Sequence, residues 1–102
     1  MVATADTQQR ALMSLRTIEL MVHDLPDVAA DWDHLSEGER ESWSLDWGNE
    51  MAALPRLAEA VADGALDPHD RARYDRVVRT LADAGHMVER LRLRPPAELI
   101  QA

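Results

Sequence analysis

Apolar residues recur every three or four positions in three long stretches of the chain, a spacing typical of amphipathic helices. In the first stretch, over residues 7–25, the apolar positions are Ala11, Leu15, Ile18, Val22 and Leu25. Pro26 predicts the end of this helix, because proline lacks an amide hydrogen and disfavours a helical residue before it. Pro26 can also open a helix, so we expect a short one over residues 27–34, with Val28, Trp32 and Leu35 on one side.

The second long stretch begins at a capping box formed by Ser36 and Glu39. Its apolar positions are Trp43, Trp47, Met51, Leu54, Leu57, Ala58 and Val61. They lie on one face if the helix stays straight, but Gly48 and Pro55 leave its continuity open and predict a kink over residues 49–54.

The third stretch follows a short loop. Gly64 predicts a left-handed stop after the second helix, and Asp67 before Pro68 predicts the next N-cap. The third helix is expected over residues 68–93, with two heptad-spaced sets of apolar residues: Tyr74, Leu81 and Val88, and Val77, Ala84 and Leu91. Pro95 and Pro96 predict its end.

These elements predict an all-α fold. Short connections between long amphipathic helices favour antiparallel neighbours, so we expect an antiparallel bundle of three main helices plus one short connecting helix. A chain of 102 residues suits a single domain over residues 1–102, and residues 1–6 and 95–102 are expected to be loose termini.

Composition narrows the classes of function. The net charge of −8 argues against direct binding to a nucleic-acid backbone. The absence of cysteine excludes disulfides, thiolate metal sites and a cysteine nucleophile. No signal peptide or apolar run long enough to span a membrane is apparent, so a cytoplasmic protein that does not bind membranes is expected. All eleven basic residues are arginine, which hints at a GC-rich bacterial genome.

The negative charge is concentrated in residues 17–55, where ten carboxylates face Arg40 alone: Glu19, Asp24, Asp27, Asp31, Asp33, Glu37, Glu39, Glu41, Asp46 and Glu50. Such a segment can dock a basic protein. Alternatively, the third helix can compensate it internally if an antiparallel arrangement brings its arginines beside the second helix. Those arginines are Arg71, Arg73, Arg76, Arg79, Arg90 and Arg92.

Three of the four aromatic residues, Trp32, Trp43 and Trp47, fall inside this acidic segment. Tryptophan dominates interface hot spots, but in a chain without phenylalanine it can equally fill the core. Glu50 interrupts the apolar face of the second helix, so it needs a partner, an escape to water or a ligand. The sequence therefore predicts a partner-binding set: Trp32, Trp43, Trp47, Asp31, Asp33, Glu37 and Glu50.

Met13 and Leu20 lie seven residues apart on the first helix, on the side opposite its apolar stripe. We expect them to be exposed and to offer an oligomer interface, such as that of a homodimer.

The main functional hypothesis is a small helical interaction module, such as an adaptor, an inhibitor or antitoxin-like protein, or a regulatory subunit. No enzyme activity and no cofactor are expected, because the chain has neither a nucleophile motif nor a phosphate-binding glycine loop. Two alternatives remain. One is a metal- or small-molecule-binding protein that uses Glu19, His23 and His34, with Asp27 and Asp31 nearby. The other is a purely structural homo-oligomer built on Met13 and Leu20.

Overall fold

The computed structural model describes residues 4–96, and within this range it contains helices and no strand. The helices are α1 (Ala5–Asp31), α2 (Glu37–Ala62), α3 (Pro68–Asp83) and the short α4 (Gly85–Arg90), with one turn of 3₁₀ helix at Trp32–His34. The three long helices pack against one another, which confirms the predicted all-α bundle.

The first helix packs against both α2 and α3, and its backbone lies near each of them over more positions than theirs lie near each other. The apolar stripe predicted for α1 is buried throughout and extends one turn further, to Ala29. From α2 the core receives five residues, of which Trp47 is completely enclosed. These side chains form one hydrophobic core with Tyr74, Val77 and Leu81 of α3.

The prediction that Pro26 ends the first helix is wrong. α1 continues through Pro26 to Asp31, and the expected separate helix over residues 27–34 is instead the last turn of α1 followed by the 3₁₀ turn. The buried residues Leu25 and Ala29 flank the proline on the core side, while Pro26 itself is exposed. Burial on both sides of Pro26 offsets the cost of an interior proline, about 3 kcal/mol.

Pro55 is tolerated in the same way. α2 is a single helix from Glu37 to Ala62, and the buried residues Leu54 and Leu57 flank the proline. The missing amide hydrogen removes one backbone hydrogen bond, but the core-facing stripe continues on both sides of it.

The predicted helix ends between the long helices are confirmed. The Ser36 hydroxyl accepts a hydrogen bond from the Glu39 amide, and the Glu39 carboxylate accepts one from the Ser36 amide, each at 3.1 Å. At the end of α2, Gly64 has a φ of 82° and closes a Schellman motif. The Asp67 carboxylate then caps α3 by accepting from the Asp70 amide at 2.8 Å.

The expected helix over residues 68–93 is broken at Ala84, between α3 and α4. Gly85 is the weakest helix former in the interior of this stretch, so a break in the helix there costs little free energy. The heptad pattern survives the break, since Val88 and Leu91 are buried. The chain then turns at Arg92, whose φ is 56°, and Leu93 returns to the core.

Parts of the termini expected to be loose, residues 1–6 and 95–102, fall within the described residues. α1 already begins at Ala5, and Pro96 is buried. Residues 1–3 and 97–102 lie outside the described residues. None of the helices within residues 4–96 is both long enough and apolar enough to cross a bilayer.

Candidate partner-binding surface

Six exposed carboxylates lie within about a turn and a half of the connection between α1 and α2. One of them, Glu39, caps α2. We call the surface formed by the other five the acidic end; its residues are Asp27, Asp31, Asp33, Glu37 and Glu41. It contains three of the predicted site residues, Asp31, Asp33 and Glu37. The elongated bundle, about 47 Å in its longest dimension, presents them at a junction between helices.

None of these five carboxylates forms an ion pair with any residue between 4 and 96. The arginines of α3 form no ion pair with α2 within residues 4–96; those that are paired bind carboxylates of α1 and of α3 itself. Arg73 binds Glu19 of α1 and Asp70 of its own helix, and Arg71 binds Asp75. The charge of the acidic end therefore faces solvent without internal compensation in the described part of the chain.

Two arginines near the acidic end bind backbone carbonyl groups. The Arg40 guanidinium donates to the carbonyl oxygen of Trp32 at 2.8 Å and to that of Asp33 at 3.2 Å. Arg90 of α4 donates to the carbonyl oxygen of Ala29 at 3.4 Å. Both side chains thereby bind carbonyl groups where α1 ends, and those of Ala29 and Trp32 also accept from the backbone amides of Trp32 and Leu35.

The position of Asp31 is electrostatically unfavourable for the helix that carries it. A helix C-terminus carries partial negative charge, and a carboxylate there is repelled by it. The last turn of α1 contains Asp31 and no basic residue. In contrast, Glu37 and Glu39 in the first turn of α2 are placed favourably. Helix stability therefore does not account for the carboxylate of Asp31.

Trp32 is half-buried and packs against the edge of the core. A groove of about 430 Å³ opens beside it, between the end of α1 and α4. Its lining combines apolar surface with charges of both signs: Ala29, Ala30, Trp32, Asp33, Arg90 and Leu91. Such a groove can accept a side chain that is apolar along its length and polar at its tip.

Trp47 lies in the core with none of its surface exposed, so it offers no surface to a partner. This corrects the predicted partner-binding set, from which Trp47 is removed. Its indole Nε1 donates to the carbonyl oxygen of Arg94 at 2.8 Å. The half-buried Trp43 stacks on it, with ring centroids 5.4 Å apart and ring planes 21° apart. Trp43 is therefore a surface aromatic residue held rigidly from beneath.

Glu50 is half-buried on α2, one turn after Trp47. Of the three possibilities that the sequence left open for Glu50, a charged partner is not found, because it forms no ion pair within residues 4–96. Burial, with a smaller contribution from the nearby Asp46, raises the pKa of the Glu50 carboxyl group above its ordinary value.

The three residues of the metal-binding alternative, Glu19, His23 and His34, do not form a common site in the structure. Both carboxylate oxygens of Glu19 accept hydrogen bonds from Arg73, at 2.6 Å and 3.1 Å. These bonds lower the pKa of Glu19. His23 and His34 are exposed. Within residues 4–96, no three histidine, aspartate or glutamate side chains come together in a way that could hold a metal ion.

Sequence reasoning missed the roles of Arg40 and Arg90. Arg40 is the only basic residue of the acidic segment, and this isolation was the available signal. Its target could not be inferred, because any carboxylate nearby would have been an equally reasonable partner. Leu45, which is 65% exposed on α2, was also missed.

Comparison of the chain with family models, curated proteins and solved structures gives no match.

Proposed function

We propose that this chain is a small acidic interaction module that binds a basic partner protein through the acidic end, together with Trp32 and Trp43. An adaptor, an inhibitor or antitoxin-like protein and a regulatory subunit all fit this description. The observation that carries the proposal is that all five carboxylates of the acidic end are exposed and form no ion pair in the described chain. We place this activity in the cytoplasm, without direct contact to nucleic acid or membrane.

Two features indicate that this charge serves a purpose other than folding. The nearest arginines, Arg40 and Arg90, bind carbonyl groups and leave the carboxylates free. Asp31 opposes the dipole of its own helix. A residue that breaks a local rule of helix stability is expected where function requires it. A concentrated negative surface speeds encounter with a basic protein and favours correct orientation.

The two half-buried tryptophans supply the apolar part of the proposed interface. Trp43 rests on the buried Trp47, and Trp32 borders the groove beneath the acidic end. Rigid aromatic anchors lose little conformational entropy on binding, and residues of this type are enriched among hot spots. Partner arginine or lysine side chains can contact Asp33 and the Trp32 ring together.

The test compares two triple charge reversals that change the net charge equally. One replaces Asp31, Asp33 and Glu37 by arginine at the acidic end. The matched control replaces the exposed Glu59, Asp63 and Asp83, none of which belongs to the acidic end. Tagged proteins are used to capture partners from a lysate of the encoding organism, and captured partners are quantified by mass spectrometry.

The acidic-end variant is expected to lose capture of a basic partner by at least about tenfold, equivalent to 1.4 kcal/mol, while the control retains it. Circular dichroism must show equal helicity for both variants. The wild-type complex should weaken as salt rises, because exposed charges are screened. Equal capture by the two variants would contradict the proposal.

A further inference from the structure

The exposed side of α1 carries a second regular pattern, which core packing does not explain. Exposed residues recur at alternating spacings of three and four along this side. Such spacing places them in one line along a helix and is the spacing by which helices pair in coiled coils. We call this line the outer stripe; it comprises Arg10, Met13, Thr17, Leu20, Asp24 and Asp27.

The middle of the outer stripe is apolar. Met13 is 59% exposed and Leu20 is 63% exposed, so neither side chain is part of the hydrophobic core. Between them, the Thr17 hydroxyl donates to the Met13 carbonyl oxygen of its own helix at 3.1 Å. Because this bond satisfies the hydroxyl group, the methyl group of Thr17 is available for contact with other apolar surface.

The two ends of the outer stripe carry opposite charges. Arg10 lies on the N-terminal side of the apolar middle, and Asp24 and Asp27 lie on the C-terminal side. Within one chain, Arg10 forms an exposed ion pair with Asp6, one turn earlier, at 2.8 Å; such a pair is weak enough to be exchanged for a partner on the second copy. A second copy of the same stripe, laid antiparallel, brings Arg10 of each copy opposite the aspartates of the other. A parallel copy would instead bring like charges together. Antiparallel packing also opposes the two helix dipoles favourably.

We propose that α1 packs antiparallel against α1 of a second copy of this chain, around a two-fold axis near Thr17. Met13 and Leu20 of both copies form the apolar centre of the contact, and Arg10 pairs with Asp24 or Asp27 of the other copy. Residues 10–27 span only about 26 Å at 1.5 Å per residue, and one helix face buries less than the roughly 800 Å² per partner of a standard interface. The homodimer is therefore a weak, reversible one.

This homodimer goes beyond the proposed function, since it uses the outer stripe of α1 and a second copy in place of a basic partner; Asp27 alone belongs to both surfaces. The first test measures the molecular mass by sedimentation velocity between about 10 μM and about 1 mM, the range in which weak complexes dissociate. The mass is expected to rise from one chain to two. Leu20→Glu should keep it at one chain throughout the range, whereas Leu45→Glu, an equally exposed leucine on α2, should leave the rise unchanged.

The second test determines whether the two α1 helices pack antiparallel. Because the chain contains no cysteine, each variant carries a single reactive thiol. In the antiparallel arrangement, two copies of Thr17→Cys meet near the axis and form a disulfide under mild oxidation. Two copies of Asp27→Cys lie about 25–30 Å apart, beyond the reach of a disulfide. Thr17→Cys is therefore expected to crosslink at least about tenfold faster than Asp27→Cys, a ratio chosen to exceed random collision.

Equal crosslinking at both positions would overturn the antiparallel arrangement. A mass of one chain at every concentration would overturn the homodimer. Neither result bears on the capture experiment with the acidic-end variant, so the two proposals fail separately.

Discussion

Arg92 occupies, after α4, the same left-handed position that Gly64 occupies after α2. In both places the amide of the following residue donates to a carbonyl oxygen five positions earlier, Ala65 to Ala60 and Leu93 to Val88, each at 2.9 Å. These are two Schellman motifs, one closed by glycine and the other by a residue with a side chain. The Cβ atom of Arg92 makes its left-handed conformation unfavourable.

We therefore expect Arg92→Gly to raise the free energy of unfolding by about 0.5–1 kcal/mol, measured by urea denaturation, because it removes this strain. Arg92→Ala retains the Cβ atom and should give no gain. Gly64→Ala, at the equivalent position, should lower the free energy of unfolding by about 1 kcal/mol. A gain for Arg92→Ala equal to that for Arg92→Gly would show that the charge, and not the backbone, is responsible.

The ion pair between Glu19 and Arg73 links α1 to α3 across 54 positions of sequence. A double-mutant cycle with Glu19→Gln and Arg73→Met is expected to give a coupling energy of about 0.5–1 kcal/mol, because the fork of the guanidinium binds both oxygens. The same cycle on the exposed pair Arg71 and Asp75, within α3, should give about 0.3 kcal/mol.

The coupling between Glu19 and Arg73 should also depend on pH. Arg73 lowers the pKa of Glu19 in the folded state, so the stabilisation is complete above the ordinary value of 4.5 and is lost as pH falls through the folded-state value. A coupling energy that stays constant from neutral pH to strongly acidic pH would contradict this role.

Glu50 is expected to reduce stability at neutral pH. Its pKa is raised by burial, so the folded state binds a proton more tightly than the unfolded chain, and ionised Glu50 lowers the free energy of unfolding. Glu50→Gln should raise the midpoint of thermal unfolding at pH 7. This gain should shrink as pH falls through the raised pKa and vanish below the ordinary value of 4.5. Glu59→Gln, an exposed change on the same helix, should show no such trend.

The tryptophans should differ in how much each contributes to stability and in how readily acrylamide quenches its fluorescence. Trp47→Phe leaves a cavity and removes the hydrogen bond to Arg94, so we expect a loss of about 2–4 kcal/mol in the free energy of unfolding. It should also remove the fluorescence component that acrylamide quenches least. Trp32→Phe should cost less than about 1 kcal/mol and should remove a component that is readily quenched, because Trp32 lies at the edge of the core. Equal quenching of all three would contradict the burial of Trp47.

The periodicity of the sequence predicted the fold because core contacts repeat with the helix. Every apolar position assigned to the first helix is buried, from Ala11 to Leu25. Local chemistry also predicted the caps at Ser36 and Asp67, where a side chain and a nearby amide suffice. The rule for proline failed at Pro26 because burial by residues on both sides outweighs a local preference that sequence reasoning treats alone.

The surface was harder to predict, because it depends on which helices are neighbours. The packing of the helices decides that Arg73 meets Glu19 of α1 and that the carboxylates of α2 form no ion pair within the described residues. Two helices with similar apolar patterns could exchange positions in the bundle and still bury the same stripes, so the pattern alone does not determine which surface residues meet. The burial of Trp47 likewise depends on the segment after α4, which no periodic signal placed against α2.

The hydrogen bond from Trp47 to the backbone of Arg94 has a consequence for synthesis. The core around Trp47 is completed by a segment translated 47 positions later, so the native packing of α1 and α2 cannot be finished while residues 91–96 are still inside the ribosome. At about 5–20 residues per second, several seconds pass between the synthesis of Trp47 and that of the segment that binds its indole ring. A chaperone that recognises apolar segments can therefore bind the region around Trp47 during this interval. The interval ends when residue 94 leaves the ribosome and can pack against Trp47.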